Sequence, residues 1–374
     1  MAGIYIHIPF CRQACHYCDF HFRTSMRLRT RIVDSITQEI SMRTDYLEGE
    51  KIDTIYFGGG TPSILEISEL EQILEKIQKT HLVSPNVEIT LEANPDDLSE
   101  EKLRGIKSLG INRLSVGIQS FDDGFLKKLN RLHNGKEAIE VVNRARKVGF
   151  DNLSLDLIYA IPSNNHDIWM RDLETMMRLK PEHISAYALT VEHDTAFGNW
   201  LRKGKFTEVE EDFAAEQFEM LLETLNKNGY EQYEISNFSL PDKHSRHNSG
   251  YWRHAKYLGL GPGAHSYNGK QREYNVPNNP KYAKAIESGE LPAIFEPLNL
   301  DDQINEYILT SLRTKWGTDA ERISNLFEVD LLSKHREKIE NLTNGNYIYI
   351  EKKSIFLTEK GKLLADKIAT DLFV

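Results

Sequence analysis

Apolar residues over the first 240 positions follow two alternating rhythms. Short runs rich in Ile, Val, Tyr and Leu predict strands at Ile4–Ile8, Ile52–Phe57, Val87–Glu92, Arg113–Gly117, Asn152–Leu157 and His183–Leu189. Between them, apolar residues recur at close to a helical period. They predict helices at Arg27–Tyr46, Glu69–Lys79, Glu100–Leu109, Lys136–Lys147 and Asp167–Leu179. Strands alternating with helices predict a parallel sheet with helices packed outside it. Six such units favour an open or closed (β/α) barrel over a doubly wound open sheet.

A long helix at about Glu208–Asn228 and a strand at Gln232–Ile235 follow. From about Ser236 to Pro280 the rhythm stops, and Asn, Gly, Pro, His and aromatic residues crowd together. An irregular stretch of that length is usually functional. The last 75 residues follow a different pattern, with helices at Asp301–Leu312, Asp319–Phe327 and Leu331–Asn341, strands at Tyr347–Ile350 and Ser354–Leu357, then a helix from about Glu359. That order is winged-helix-like.

Charge narrows the partners. The formal net charge is −10, and residues 300–374 carry 11 Lys/Arg against 13 Asp/Glu. A protein gripping phosphates would show a basic surplus, so no nucleic-acid partner is expected. No apolar run approaches the roughly 18 to 20 residues of a membrane helix, so direct membrane insertion is not expected. The start, Met-Ala-Gly-Ile-Tyr-Ile-His-Ile-Pro, has no basic region leading into an apolar run. A cytoplasmic location is the expectation.

All three cysteines fall within eight residues, in Pro9-Phe10-Cys11-Arg12-Gln13-Ala14-Cys15-His16-Tyr17-Cys18-Asp19-Phe20. An odd, tight cluster argues against a disulfide framework and for a metal site. Zinc needs a fourth ligand, and His7, His16 or His21 could supply one. Buried structural cysteines are a further alternative. Three thiolates on a four-iron cube leave one iron open to a small molecule.

Ligands of a parallel (β/α) sheet gather where strands end. Gly58-Gly59-Gly60-Thr61-Pro62 follows the second strand, and its glycines let backbone amides approach an anion closely, unless they serve a tight turn alone. Glu92, Gln119 and Asp156 stand at or near the ends of the third, fourth and fifth strands. Each alone reads equally as a capping or surface residue.

The C-x3-C-x2-C spacing after a first strand resembles the signature of the radical S-adenosylmethionine (SAM) superfamily. The wider pattern is similar to its coproporphyrinogen dehydrogenase-like branch over nearly the whole chain. The resemblance implies an α/β fold: a radical-SAM (β/α)6-type partial barrel with a small winged-helix-like C-terminal domain. The expected division is a barrel at 1–235, an irregular connecting segment at 236–299 and the small domain at 300–374. It implies a [4Fe-4S] cluster on Cys11, Cys15 and Cys18, with SAM chelating the open iron and an electron from the cluster cleaving it to a 5′-deoxyadenosyl radical. Carried over by motif, Tyr5 contacts SAM, Tyr17 stacks near the adenine, and Gly59, Gly60 and Thr61 hold the amino acid end. Glu92, Gln119, Arg131 and Asp156 complete the pocket. Relatives often carry glycine where Asn130 and Ala160 stand here.

Within that branch two classes are in play. Dehydrogenases of the branch decarboxylate coproporphyrinogen III oxidatively, and haem chaperones keep the pocket but deliver haem to acceptor proteins, respiratory ones among them. The dehydrogenases carry a fourth cysteine two residues after the third, where Phe20 stands here. They also carry an N-terminal extension, whereas the first strand here is expected from residue 4. His247-Asn248-Ser249-Gly250-Tyr251-Trp252 resembles the H-N-x-x-Y-W motif of the chaperone group. The resemblance therefore favours a haem chaperone, with His247 on the iron and Tyr251 and Trp252 beside the macrocycle. His244, His254 and His265 are alternative ligands.

Overall fold

Six parallel strands stand side by side in chain order in the computed structural model, which describes residues 2–374. They are β1 (Ala2–Ile8), β2 (Ile52–Gly59), β3 (Val83–Ala93), β4 (Arg113–Gln119), β5 (Leu153–Tyr159) and β6 (His183–Ala188). The connections carry α1 (Arg29–Met42), α2 (Ile67–Thr80), α3 (Glu100–Ser108), α4 (Asp123–Lys128), α5 (Gly135–Val148) and α6 (Asp167–Leu179). A doubly wound sheet reverses its strand order at a switch point. Here the order runs from β1 to β6 without reversal and the sheet does not close, which makes a partial barrel.

The strands alternate strictly, and the alternation divides the molecule. Ile4, Ile6, Ile55, Phe57, Leu91, Leu114, Val116, Leu153, Leu155 and Ile184 are fully or almost fully buried in the main core, which the helices cover. Their neighbours in sequence point to the other face of the sheet. Of those neighbours, Tyr56, Thr90, Glu92, Arg113, Ser115, Ser154, Asp156, His183 and Ser185 line one cavity. Purely structural parallel strands are apolar on both faces. The polar lumen here is a departure that only a ligand site explains readily.

Next come α7 (Ala196–Arg202), α8 (Glu211–Lys227), β7 (Glu231–Glu234) and β8 (Asn237–Ser239). The stretch expected to be irregular is largely ordered into elements. Besides β8 it holds α9 (Arg246–Trp252), β9 (Tyr257–Leu260), β10 (His265–Tyr267), β11 (Gln271–Asn275) and the start of α10 (Asn279–Glu287), with β12 (Ala293–Pro297) beyond it. β9 pairs parallel with β1, and β10, β11 and β12 continue antiparallel from it. β8 and β7 extend the opposite side beyond β6, giving a sheet of 12 strands.

The turn from β9 to β10 is fixed by a buried carboxylate. Glu39 of α1 accepts hydrogen bonds from the Gly261 amide (2.9 Å), Tyr282 hydroxyl (2.5 Å) and Asn275 amide (2.8 Å). Gly261 has φ +96°, and a Cβ there would lie 2.5 Å from the His7 carbonyl oxygen, so only glycine fits.

Residues 300–374 build a second core around Ile304, Ile308, Leu312, Ile323, Ile355 and Ile368. The elements are α11 (Leu300–Leu312), β13 (Thr318–Asp319), α12 (Ala320–Phe327), α13 (Leu331–Lys334), α14 (Arg336–Asn344), β14 (Ile348–Glu351), β15 (Ser354–Leu357), α15 (Glu359–Lys362) and α16 (Ala365–Asp371). Its three strands pair antiparallel in the order β13-β15-β14. Arg313 binds this unit to the barrel through Glu234 at 3.0 Å. No helix among the described residues is long and apolar enough to cross a membrane.

Candidate functional site

The cysteine loop leaves the C-terminal end of β1 and is clamped from both sides. The Gly60 amide donates to the Ile8 carbonyl (2.9 Å) and the Thr61 amide to the Phe10 carbonyl (2.8 Å). Two of the amides expected to cradle an anion therefore hold the loop instead. A Cβ at Gly60 would lie 2.6 Å from the Phe10 carbonyl oxygen, and one at Gly59 (φ +106°) 2.6 Å from the His7 ring.

Cys11, Cys15 and Cys18 are all unpaired, partly exposed and on one cavity of about 420 Å³. Burial pushes the Cys11 thiol up to about 11 and the Cys18 thiol up to about 12. Metal loading would thus displace protons. The Thr61 hydroxyl donates to Cys11 Sγ at 3.3 Å and Arg131 to Cys15 Sγ at 3.4 Å. Arg131 also donates to Asn94 Oδ1 (2.5 Å) and the Gly117 carbonyl (2.7 Å), and its Nε is buried without a partner. Burial alone would lower the Arg131 pKa; Tyr17 and Cys15 beside it reverse the balance and raise it.

These features fit an iron–sulfur cluster. A buried guanidinium without a carboxylate partner is costly, and a cluster on three thiolates would bring compensating negative charge beside it. They fit zinc less well, because the candidate fourth ligands are engaged. His7 donates from Nε2 to the His21 carbonyl and accepts the Tyr5 hydroxyl at Nδ1, while His16 donates to the Lys128 carbonyl and lies against Trp200.

Strand ends bring the other candidates to the same cavity: Tyr17, Gly59, Gly60, Thr61, Glu92, Gln119, Arg131 and Asp156 all line it. Burial pushes Glu92 up to about 7 against a 2.7 Å hydrogen bond from the Tyr56 hydroxyl. Burial likewise pushes Asp156 up to about 6. Gln119 has φ +69° at a register shift between β4 and β5. A bulge there re-aims its side chain into the cavity mouth. Sequence reasoning missed Asn94, which ties Arg131 to Thr61, although it stands two residues after Glu92 at the same strand end. It also missed the lumen residues Arg113, Ser115 and Ser185, whose signal was the polar half of the strand alternation.

Tyr5 does not line this cavity. With Tyr251, Trp252, His254 and His265 it lines a second cavity of about 720 Å³ between the β9–β11 extension and α11. Asp19 and Phe20 of the cysteine loop border both cavities.

His247 lies outside both cavities, at the end of the lumen away from the cysteines. It is 3% exposed, shares a 2.8 Å hydrogen bond with Thr54 Oγ1 through Nδ1, and a 2.7 Å one with the Tyr251 hydroxyl through Nε2. Burial lowers its pKa to about 3. The expectation that His247 offers a nitrogen to iron meets a geometric obstacle: both nitrogens are already used.

Comparisons with known proteins agree with this architecture. The Radical SAM superfamily profile matches residues 5–176, and a HemN C-terminal domain profile matches residues 298–364. Sheet, cysteine loop and match together define a radical SAM protein, a class that implies a [4Fe-4S] cluster and SAM. The fold is that of coproporphyrinogen III oxidase (HemN) from Escherichia coli, with a TM-score of 0.85, 22% identity, and coverage of 100% of this chain and 90% of that one. Proteins named heme chaperone HemW are similar along nearly their full lengths. The one from Lactococcus lactis is 36% identical over 97% of this chain and 95% of its own. Those from Bacillus subtilis and Mycobacterium tuberculosis are 34% and 32% identical, covering 98% and 99% of this chain and 98% and 94% of their own. The chain belongs to the HemW family.

Proposed function

We propose that this protein is a haem carrier that binds haem and passes it to acceptor proteins. It carries a [4Fe-4S] cluster on Cys11, Cys15 and Cys18 and holds SAM in the polar lumen. The observation that carries this reading is Phe20. It stands where the resemblance to the dehydrogenases calls for a fourth thiol, it is 67% exposed, and it borders both cavities. A phenyl ring cannot act as a thiol, but it can cover the face of a porphyrin. The names of the family's members support haem as the cargo.

When bound, the cluster would supply a single electron to SAM. The chain's own part is to hold and shield. Arg131 and Thr61 steady the thiolates, and the Glu92 and Asp156 carboxylates, with Gln119, form the polar wall facing SAM. Tyr17 shields the same space from water.

Anaerobic reconstitution followed by incubation with coproporphyrinogen III, SAM and a reductant tests the assignment. The porphyrinogen is expected back with all four propionates. Formation of protoporphyrinogen would make the protein a dehydrogenase.

A further inference from the structure

We propose that haem occupies the 720 Å³ aromatic cavity and that His265 supplies its iron ligand. This rests on the haem-carrier reading and adds a site to it. Ligand cavities for molecules of this order run to several hundred Å³, with mostly aromatic and apolar walls and few polar groups. This cavity is walled by Tyr5, Tyr251, Trp252, Tyr257, Tyr267 and Tyr274.

Strand geometry selects His265. On β10, His265 and Tyr267 line the cavity while Ser266 between them is buried on the other face. On β11, Arg272 and Tyr274 line it while Glu273 is buried against Arg43. His265 and Tyr274 are paired across the ladder, with rings stacked 5.2 Å apart at 26°. His7 has both nitrogens engaged. His254 and His21 each have Nε2 held, by Thr310 and by Asn279 at 2.8 Å, which leaves only Nδ1, the nitrogen crowded by the residue's own Cβ, to face an iron. Neither ring nitrogen of His265 has a hydrogen-bond partner among the described residues, and the side chain is solvent-exposed. An imidazole with a free nitrogen on a rigid strand is what haem iron requires.

The polar end of the cavity suits the propionates. Arg272, across the ladder, pairs with Glu306 of α11 at 2.9 Å and can turn from that carboxylate to another. Phe20 and Asp19 place the cavity against the cluster loop. His247 acts through Tyr251: it fixes that hydroxyl and so shapes one wall, which makes it a positioning residue.

The test is a haemin titration of the full, reconstituted chain, followed by Soret absorbance and by the ferric-haem signal in electron paramagnetic resonance, which a single imidazole ligand leaves high-spin. His265→Ala should weaken binding at least tenfold and lose the imidazole-type signal, with cluster absorbance intact. Imidazole added to the buffer should restore the signal in that variant. His254→Ala and His21→Ala should keep it. Wild-type affinity and spectrum in His265→Ala, or loss of the signal in His254→Ala or His21→Ala instead, would overturn the site and leave the haem-carrier reading standing. Failure of the wild type itself to bind haemin would overturn both.

Discussion

The ring of His247 and the hydroxyl of Tyr251 meet at 2.7 Å, one helical turn apart on α9. The contact divides the His-Asn-x-x-Tyr-Trp motif between different tasks. His247 is buried against Thr54, Asn248 borders the lumen, and Tyr251 and Trp252 line the aromatic cavity. His247→Ala leaves two hydroxyls without partners in the interior. Such losses cost roughly 1–3 kcal/mol each at most, so urea unfolding should show a clear drop in stability. The Soret position of bound haem should persist in the folded variant. Loss of the imidazole signature at wild-type stability would make His247 the ligand.

Replacing Cys11, Cys15 or Cys18 by Ala should abolish the cluster, since no other cysteine exists in the chain to substitute. Iron and sulfide analysis after anaerobic reconstitution measures this. Stoichiometric zinc with no cluster absorbance in the wild type would contradict the assignment.

Glu92→Ala should weaken SAM binding about tenfold or more while the protein stays folded, since the side chain faces the lumen and not the apolar core. Isothermal titration of the reconstituted protein reads the affinity. An unchanged value would remove Glu92 from the site.

Asp172 of α6 anchors the turn just after Gln119, accepting the Ser120 hydroxyl (2.6 Å) and the Phe121 amide (2.8 Å). Burial pushes its pKa from 3.8 up to about 6. The folded state therefore binds this proton more tightly than the unfolded chain. The contribution is fully present below 3.8 and is lost as pH rises to about 6. Asp172→Asn has no such loss, so it should gain on the wild type between pH ~4 and ~7, by up to roughly 3 kcal/mol. Denaturant unfolding at several pH values measures the difference. A pH-independent gap would contradict it.

Ala160 sits at φ +59° just beyond β5, and Asn130 at φ +63°. These are the two positions where the family resemblance calls for glycine. The left-handed region costs an L-residue roughly 1–2 kcal/mol, while asparagine tolerates it. Ala160→Gly should raise stability by about 1 kcal/mol, read from the urea midpoint. No gain would mean that the lost methyl contact outweighs the strain.

Those two residues show what a sequence carries and what it hides. The strands and helices of the barrel were legible because each has a long, one-sided apolar pattern, and Val87–Glu92 differs from β3 only at its edges. The cysteine spacing and the polar residues at strand ends were legible for the same local reason. The stretch 236–280 was not. Its strands are three to five residues long, carry Gly, His, Asn and Tyr, and take their order from pairing with β1. The destinations of Tyr5 and His247 were hidden too. A hexapeptide cannot show that its histidine turns inward while its aromatic residues turn to a cavity built by β10, β11 and α11.

Haem transfer tests the central claim most directly. The reconstituted chain is loaded with one haem, separated from free haem, and mixed with an apo-protein that has an empty haem pocket, such as apomyoglobin. Appearance of the acceptor's Soret spectrum at a rate that rises with acceptor concentration, as direct transfer requires, with the cluster intact, is the predicted result. A chain that retains no haem through separation, or that turns over coproporphyrinogen III in the parallel sample, would contradict it.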